Sequence, residues 1–265
     1  MSVIRFEKVV KYYGDQVILQ NFSMSVRKGE MKVILGARGS SKTTILKMVL
    51  GLVTPDSGHV FVDGQDITEL NETALIPIRK NIGMVFQEGA LFDFLTVGEN
   101  VAYRMREKGN HSEKEIQTAV KRVLSFVGLE ASFHKMPSEL SGGMRRRVAI
   151  ARAVVDDPHI LLYDEPTAGL DPITSRSIYE LLIRLRDLEQ VTSIFVTHDL
   201  KATQTVGTEL ARIGPDGRIT FHPKNGDFCL FNTRFVMVKD GQILFEGTDE
   251  ALRSINNEYI QEFLT

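Results

Sequence analysis

The sequence predicts an α/β fold whose sheet strands carry polar, chemically competent residues at their C-terminal ends. Three stretches predict it. Residues Gly36-Ala37-Arg38-Gly39-Ser40-Ser41-Lys42-Thr43-Thr44 follow the apolar run Val33-Ile34-Leu35 and precede the helix-like stretch Ile45 to Leu50. Ile160-Leu161-Leu162-Tyr163 is an apolar strand that ends in Asp164-Glu165, and Thr192 to Val196 is a second that leads to His198. Strand ends of this kind are where open α/β sheets bind ligands.

The first stretch reads as a phosphate-binding loop. A strand that feeds a helix through such a loop aims backbone N–H groups and the positive end of the helix at one point. Lys42 is then placed to reach the β- and γ-phosphates of a nucleotide, and the Thr43 hydroxyl to sit on Mg²⁺. The pattern G-x-x-x-x-G-K-[ST] is broken once, because Ser41 stands where a second glycine, free of Cβ, is expected beside the phosphates.

Length and composition bound the rest. At 265 residues the chain can bury a substantial core, and a formal net charge of −2 gives no general reason to expect nucleic acid or an anionic membrane as its main partner. Cys229 is the single cysteine, which excludes a disulfide framework, fits a reducing compartment and is expected to be a small buried hydrophobe. The first residues lack the apolar core of a signal peptide, and no run approaches the ~18 apolar residues of a spanning helix. A role at a membrane must then come through a partner.

Taken in order, Val3 to Val10, Val17 to Leu19, Met24 to Val26 and Met31 to Leu35 read as short β runs, with turns at Gly14-Asp15 and Lys28-Gly29. Tyr12 and Tyr13 lie at the first turn, and Tyr13 is the better placed to stack on a planar base. His59 to Val62, closed by Asp63-Gly64, is a further hairpin arm. Ile82 to Phe86 reads as a buried strand, and Gln87 follows where an amide oxygen can complete a Mg²⁺ shell or order a water. Residues 90 to 127 read as helical; Ser112 and Glu115 form a capping box ahead of the stripe Ile116, Ala119, Val120, Val123, Leu124 and Val127. The apolar cluster Ala90 to Leu95 either fills a local core or forms a groove for a partner helix.

Ser141 is placed as the N-cap of a helix from Arg145 to Val155, and Gly142-Gly143 lets an anion approach the helix start. The three arginines Arg145 to Arg147 point around the helix and so read as a solvated, ion-paired face, not a nucleic-acid patch. Asp164 can hold Mg²⁺ through its water shell, and Glu165 can polarise an attacking water as general base. Ala168 to Pro172 turns the chain into a helix striped by Ile178, Leu181, Leu182, Leu185 and Leu188. From Gly207 to Glu246 the pattern is β, with turns at Gly214 to Gly217, Pro223 to Gly226 and Asp240-Gly241, so two hairpins are expected. Asp249 to Thr265 has helical spacing and packs either on its own domain or on a neighbour.

This ordered set resembles the ATP-binding subunit of an ABC transporter from Tyr13 to about Glu250. In that family's terms Tyr13 matches the adenine-stacking aromatic, Gly36 to Thr44 the Walker A loop and Gln87 the Q-loop. Leu140 to Met144 matches the signature, Ile160 to Asp164 Walker B, Glu165 the catalytic glutamate, Leu170-Asp171 the D-loop and His198 the switch histidine. The resemblance implies a P-loop NTPase with a RecA-like core, an antiparallel β-subdomain and an inserted α-helical subdomain. It spans 1–265 as a single domain, with the helical subdomain near 88–157, a β-rich insertion near 207–232 and a C-terminal helical extension at 249–265.

The same resemblance implies ATP and Mg²⁺ as ligands. ATP would contact Tyr13, Gly36, Ala37, Arg38, Gly39, Ser40, Ser41, Lys42, Thr43 and Thr44, with Ser141, Gly142 and Gly143 closing from a second subunit. Mg²⁺ would take Thr43, Gln87 and Asp164, and catalysis would use Glu165, His198 and Gln87. It further implies a head-to-tail homodimer that drives an integral membrane permease dimer from the cytoplasmic face of the inner membrane, with no nucleic acid involved. Gly89-Ala-Leu-Phe-Asp93 with Asn100-Val-Ala-Tyr103, Leu140 to Arg147 and Asp171-Pro-Ile-Thr174 look most like the Mce/Mla-type lipid transporters, whose complexes include an Mce-type substrate-binding protein. The departures are Ser41 and a longer stretch at about 207–232, either a decorative hairpin or a partner-binding element.

Overall fold

The computed structural model describes residues 2–37, 39–223 and 233–264. β1 (Ser2–Tyr13) and β2 (Gln16–Arg27) form a long hairpin, and β3 (Met31–Leu35) runs into α1 (Lys42–Val49). β4 (Ser57–Val62), β5 (Gln65–Asp66), α2 (Glu72–Arg79) and β6 (Ile82–Val85) follow. Next come α3 (Val97–Lys108), α4 (Glu113–Phe126), α5 (Gly142–Val154), β7 (Ile160–Asp164), α6 (Pro172–Asp187), β8 (Thr192–Thr197) and α7 (Leu200–Thr208). The chain continues through β9 (Glu209–Ile213), β10 (Ile219–Pro223), β11 (Thr233–Lys239), β12 (Gln242–Gly247), α8 (Asp249–Ser254) and α9 (Glu258–Leu264).

The main sheet has the order β12-β11-β3-β8-β7-β6, parallel except for the β11–β12 hairpin, and a separate antiparallel sheet has the order β2-β1-β4-β5. Because side chains alternate along a strand, each central strand feeds two cores. Leu35, Tyr163 and Phe195 join α3 to α6 in one, while Ile34, Leu162 and Val196 join α1 and the inner face of the antiparallel sheet in the other. The main sheet is therefore the middle layer.

Two of the expected short runs, Val17 to Leu19 and Met24 to Val26, are parts of one strand that turns through Asn21 at φ 49°. Gly207 belongs to α7, so the β pattern starts at Glu209. The two expected hairpins are β9–β10, turned at Gly214 to Gly217, and β11–β12. The first is held to α6 by the Arg176 fork on both Glu209 oxygens. Residues 224–232, with Cys229, lie outside the described residues. The C-terminal segment packs on its own chain, with Ile260 fully buried.

The helical reading of residues 90 to 127 needs correction at both ends of α3, which stops at Gly109 (φ 68°), and α4 starts only after Ser112. Residues up to Leu95 form a loop, and α3 begins behind the capping box of Thr96 and Glu99. Asn100, fully buried, replaces the helix ladder there: its Oδ1 accepts from Phe92 N at 2.8 Å, and its Nδ2 lies 3.0–3.1 Å from the carbonyls of Phe92, Leu95 and Thr96. The arginine face is corrected too. Arg145, Arg146 and Arg147 donate to the carbonyls of Leu140, Ala168 and Val127 at 2.7, 3.2 and 3.4 Å, because α5 is enclosed by loop ends whose carbonyls lack ladder partners.

Asn100→Ala strips several buried backbone groups of their partner and should destabilise the chain by about 2–4 kcal/mol, read from the urea midpoint.

Candidate functional site

At the end of β3 the backbone turns tightly, and a Cβ on Gly36 would fall 2.5 Å from Ser40 Oγ and 2.6 Å from the Val238 carbonyl. Gly39 has φ +80°. Ser41 has φ 62° and ψ 0°, a left-handed conformation that costs a residue with Cβ about 1–2 kcal/mol. Its hydroxyl turns back to the Ser40 carbonyl, not to the amides of α1, so the first N–H groups of the helix keep their capacity for an anion. Arg38 lies outside the described residues.

Lys42, first residue of α1, is 5% exposed and its Nζ donates to the Gly36 carbonyl at 2.9 Å and the Ala37 carbonyl at 2.8 Å. Burial lowers its pKa, opposed by the charges of Glu165 and Asp164. Asp164, at the end of β7, accepts from Thr43 Oγ1 at 3.0 Å, and burial raises its carboxyl above the usual carboxylate value. Thr43 and Asp164 thus offer one hydroxyl and one carboxylate side by side, hard oxygen donors that fit Mg²⁺ shared with phosphates and water. Among the described residues no cluster of three or more His, Cys, Asp or Glu forms a metal cage.

Glu165 sits one residue on, with φ 44° and its N–H on the Val196 carbonyl at 3.0 Å. Its two oxygens face opposite partners: Oε1 is 3.9 Å from Lys42 Nζ and Oε2 is 2.7 Å from His198 Nδ1. A cleft at this point is lined by Glu165, Thr167, Gly169, His198 and Asp199. The structure therefore brings Lys42, Thr43, Asp164, Glu165 and His198 together at the C-terminal ends of β3, β7 and β8.

Other predicted residues stand apart. Gln87 is exposed in the turn after β6, at the sheet edge. Ser141 caps α5 through the Met144 N–H, and Gly143 lies against α6, where a Cβ would fall 2.3 Å from Thr174 Cγ2. Tyr13 is half-exposed at the tip of the first hairpin, and Thr44 is buried in α1. Beside the phosphate loop a second cleft is lined by Gln16, Val17, Gly39, Ser41, Lys239 and Tyr259. Tyr259, whose ring takes Lys239 Nζ at 4.2 Å, escaped the sequence reading because nothing local ties the C-terminal segment to residue 41.

Ser41→Gly removes the left-handed penalty, partly offset by a freer unfolded chain, and should raise stability by about 1 kcal/mol in urea titration. Asp164→Asn keeps an acceptor for Thr43 and removes a charge that burial disfavours. Because the folded pKa of Asp164 lies above the unfolded value, its ionised form costs stability at neutral pH. The variant should melt higher than the parent without ligand and lose the further rise that Mg²⁺ with ATP confers, both read by scanning fluorimetry.

The sequence model of the family described as ABC transporter matches residues 19–168. The intermembrane phospholipid transport system ATP-binding protein MlaF of Haemophilus influenzae is 36% identical, over 99% of this chain and 90% of its own length. The glycine betaine transport ATP-binding protein OpuAA of Bacillus subtilis is also 36% identical over 97% of this chain, which spans 56% of that relative. Among solved structures, the dimeric post-hydrolysis state of the ATP-binding cassette MJ0796 bound to ADP and Pi superposes with a TM-score of 0.76 at 30% identity, covering 92% of this chain and 98% of that one. The fold is that of a P-loop NTPase. Through the family match, the end-to-end likeness and the strand-end chemistry, the chain belongs to the ABC transporter family as one of its nucleotide-binding ATPases.

Proposed function

We propose that the chain is the ATPase subunit that powers lipid transport between membranes of a bacterial envelope, working on the cytoplasmic face of the inner membrane through a separate permease dimer. The observation that carries the catalytic part is the placement of Glu165 between Lys42 and His198. In this reading Lys42 and the amides of the phosphate loop hold ATP, Thr43 and Asp164 hold Mg²⁺, with Gln87 completing the shell as the nucleotide site closes, and Tyr13 stacks on the adenine. Mg²⁺ would neutralise charge on the β- and γ-phosphates. Glu165 takes a proton from the attacking water, and His198 holds the glutamate and the γ-phosphate side in place.

Ser141 to Gly143 would act on a second copy. Within one chain Gly142 lies against Leu170 and Gly143 against Thr174 of α6, and in a head-to-tail homodimer they would meet the phosphate loop of the second copy, a reading supported by the dimeric cassettes of MJ0796. The permease would dock at the apolar cleft of Met84, Phe86, Phe92 and Tyr103, beside the 77% exposed Phe94. Among the described residues no helix is long and apolar enough to cross a membrane, so attachment by docking is required in this reading. The lipid assignment rests on the match to MlaF along nearly the full length of both chains. A second reading, the ATPase of a polar-solute importer, is supported by the equal identity to OpuAA.

Turnover should fall at least about 100-fold in Glu165→Gln with ATP binding retained, as for loss of a general base, measured by phosphate release. Purification from membranes should recover a multi-span permease, an Mce-type lipid-binding protein and bound phospholipid. Recovery of a soluble solute-binding protein in their place would overturn the lipid assignment.

A further inference from the structure

The two loops that deliver Glu165 and His198 leave different strands, β7 and β8, yet their side chains meet at 2.7 Å. A separate element ties the loops together behind that contact. Tyr179 is on the buried face of α6, 3% exposed, and its hydroxyl donates to Asp199 Oδ2 at 2.8 Å. The same hydroxyl lies 3.1 Å from Thr167 Oγ1. A phenol has one proton, so with that proton on Asp199 it accepts from Thr167. Burial and the neighbouring Asp199 carboxylate both push the Tyr179 pKa up, so the proton stays on the oxygen at neutral pH.

The partners are placed for leverage. Thr167 is two residues after Glu165, in a turn closed by the Ala168 N–H on the Glu165 carbonyl at 3.1 Å. Asp199 directly follows His198, and its N–H is held by Thr197 Oγ1 at 2.9 Å. The chain Thr167–Tyr179–Asp199 therefore clamps the segment after the glutamate to the segment after the histidine through a rigid helix. Glu165 needs such a support, because its φ of 44° is a conformation that a residue with Cβ holds only under constraint.

We infer that Tyr179 is a positioning residue for ATP hydrolysis: its hydroxyl bridges Thr167 and Asp199 and so sets the relation of Glu165 to His198. The inference rests on the assignment of those two residues to catalysis. Tyr179 touches no part of the phosphate loop in the described contacts, so the effect of its loss falls on the chemical step and not on nucleotide binding.

The experiment uses the full chain and measures steady-state kcat and KM for ATP, equilibrium binding of a fluorescent ATP analogue, and melting temperature. Tyr179→Phe should lower kcat about tenfold while KM and binding stay within about twofold of the parent, the signature of a group that acts only at the reacting geometry. Asp199→Ala, which opens no core cavity and carries the test if Tyr179→Phe folds poorly, should give the same loss. The double variant should fall no further than either single one, because both cut one chain. Parent-like kcat in both single variants, a loss of binding as large as the loss of kcat, or multiplying effects in the double variant would each overturn the inference. Glu165→Gln run alongside separates the two ideas: retained turnover there defeats the catalytic assignment itself, whereas its loss with a parent-like Tyr179→Phe defeats only the role of Tyr179.

Discussion

Lys42 carries its charge where water is largely excluded, and the strand ends around it are arranged to make that tolerable. An ammonium group buried without partners costs several kcal/mol, and burial lowers the pKa of Lys42. Two loop carbonyls and two carboxylates offset it. This compensation is possible only because β3, β8 and β7 are parallel neighbours in register, with Leu35 opposite Thr197 and Val196 opposite Asp164. The loops that leave them emerge at one level and on one edge, which is why residues more than a hundred positions apart share a site.

Two of the chain's left-handed non-glycine residues lie at the same edge. Ser41 and Glu165 both hold positive φ without being glycine, one beside the phosphates' expected position and the other between Lys42 and His198. Outliers of this kind persist where surrounding contacts over-determine the backbone. Around Glu165 those contacts are the Val196 carbonyl, the turn to Ala168 and the buried hydroxyls of Thr167 and Tyr179.

On the other face of the sheet, α5 links two surfaces that the fold keeps apart. Its N-terminus is capped by Ser141, and about three turns later Arg152 donates to the carbonyls of Gly89 and Ala90 at 2.8 and 2.7 Å. The helix therefore touches both the signature-like turn and the loop after Gln87, next to the apolar cleft. A displacement at one end of a packed helix is passed to the other because close-packed interiors do not absorb it. In the proposed reading, this helix would link a permease docked at the cleft to the nucleotide site of the second copy.

The local chemistry and several helix starts are legible in the sequence. The glycine pattern and Lys42 mark a phosphate-type loop, apolar runs leading to Asp164-Glu165 and His198 mark strand ends, and the Ser112–Glu115 and Ser141 caps mark helix starts through interactions within a few residues. Only the tertiary structure decided what depends on distant partners. It placed Ala90 to Leu95 in a loop because the buried amide of Asn100 out-competes helical bonding there, and it turned three arginines inward because unpaired carbonyls wait at neighbouring loop ends. It also paired Tyr179 with Asp199 and set Tyr259 on the cleft that Ser41 lines, placements of which the local sequence carries no trace. Periodicity and capping are short-range signals, whereas the register of parallel strands is set by the packing of the whole sheet.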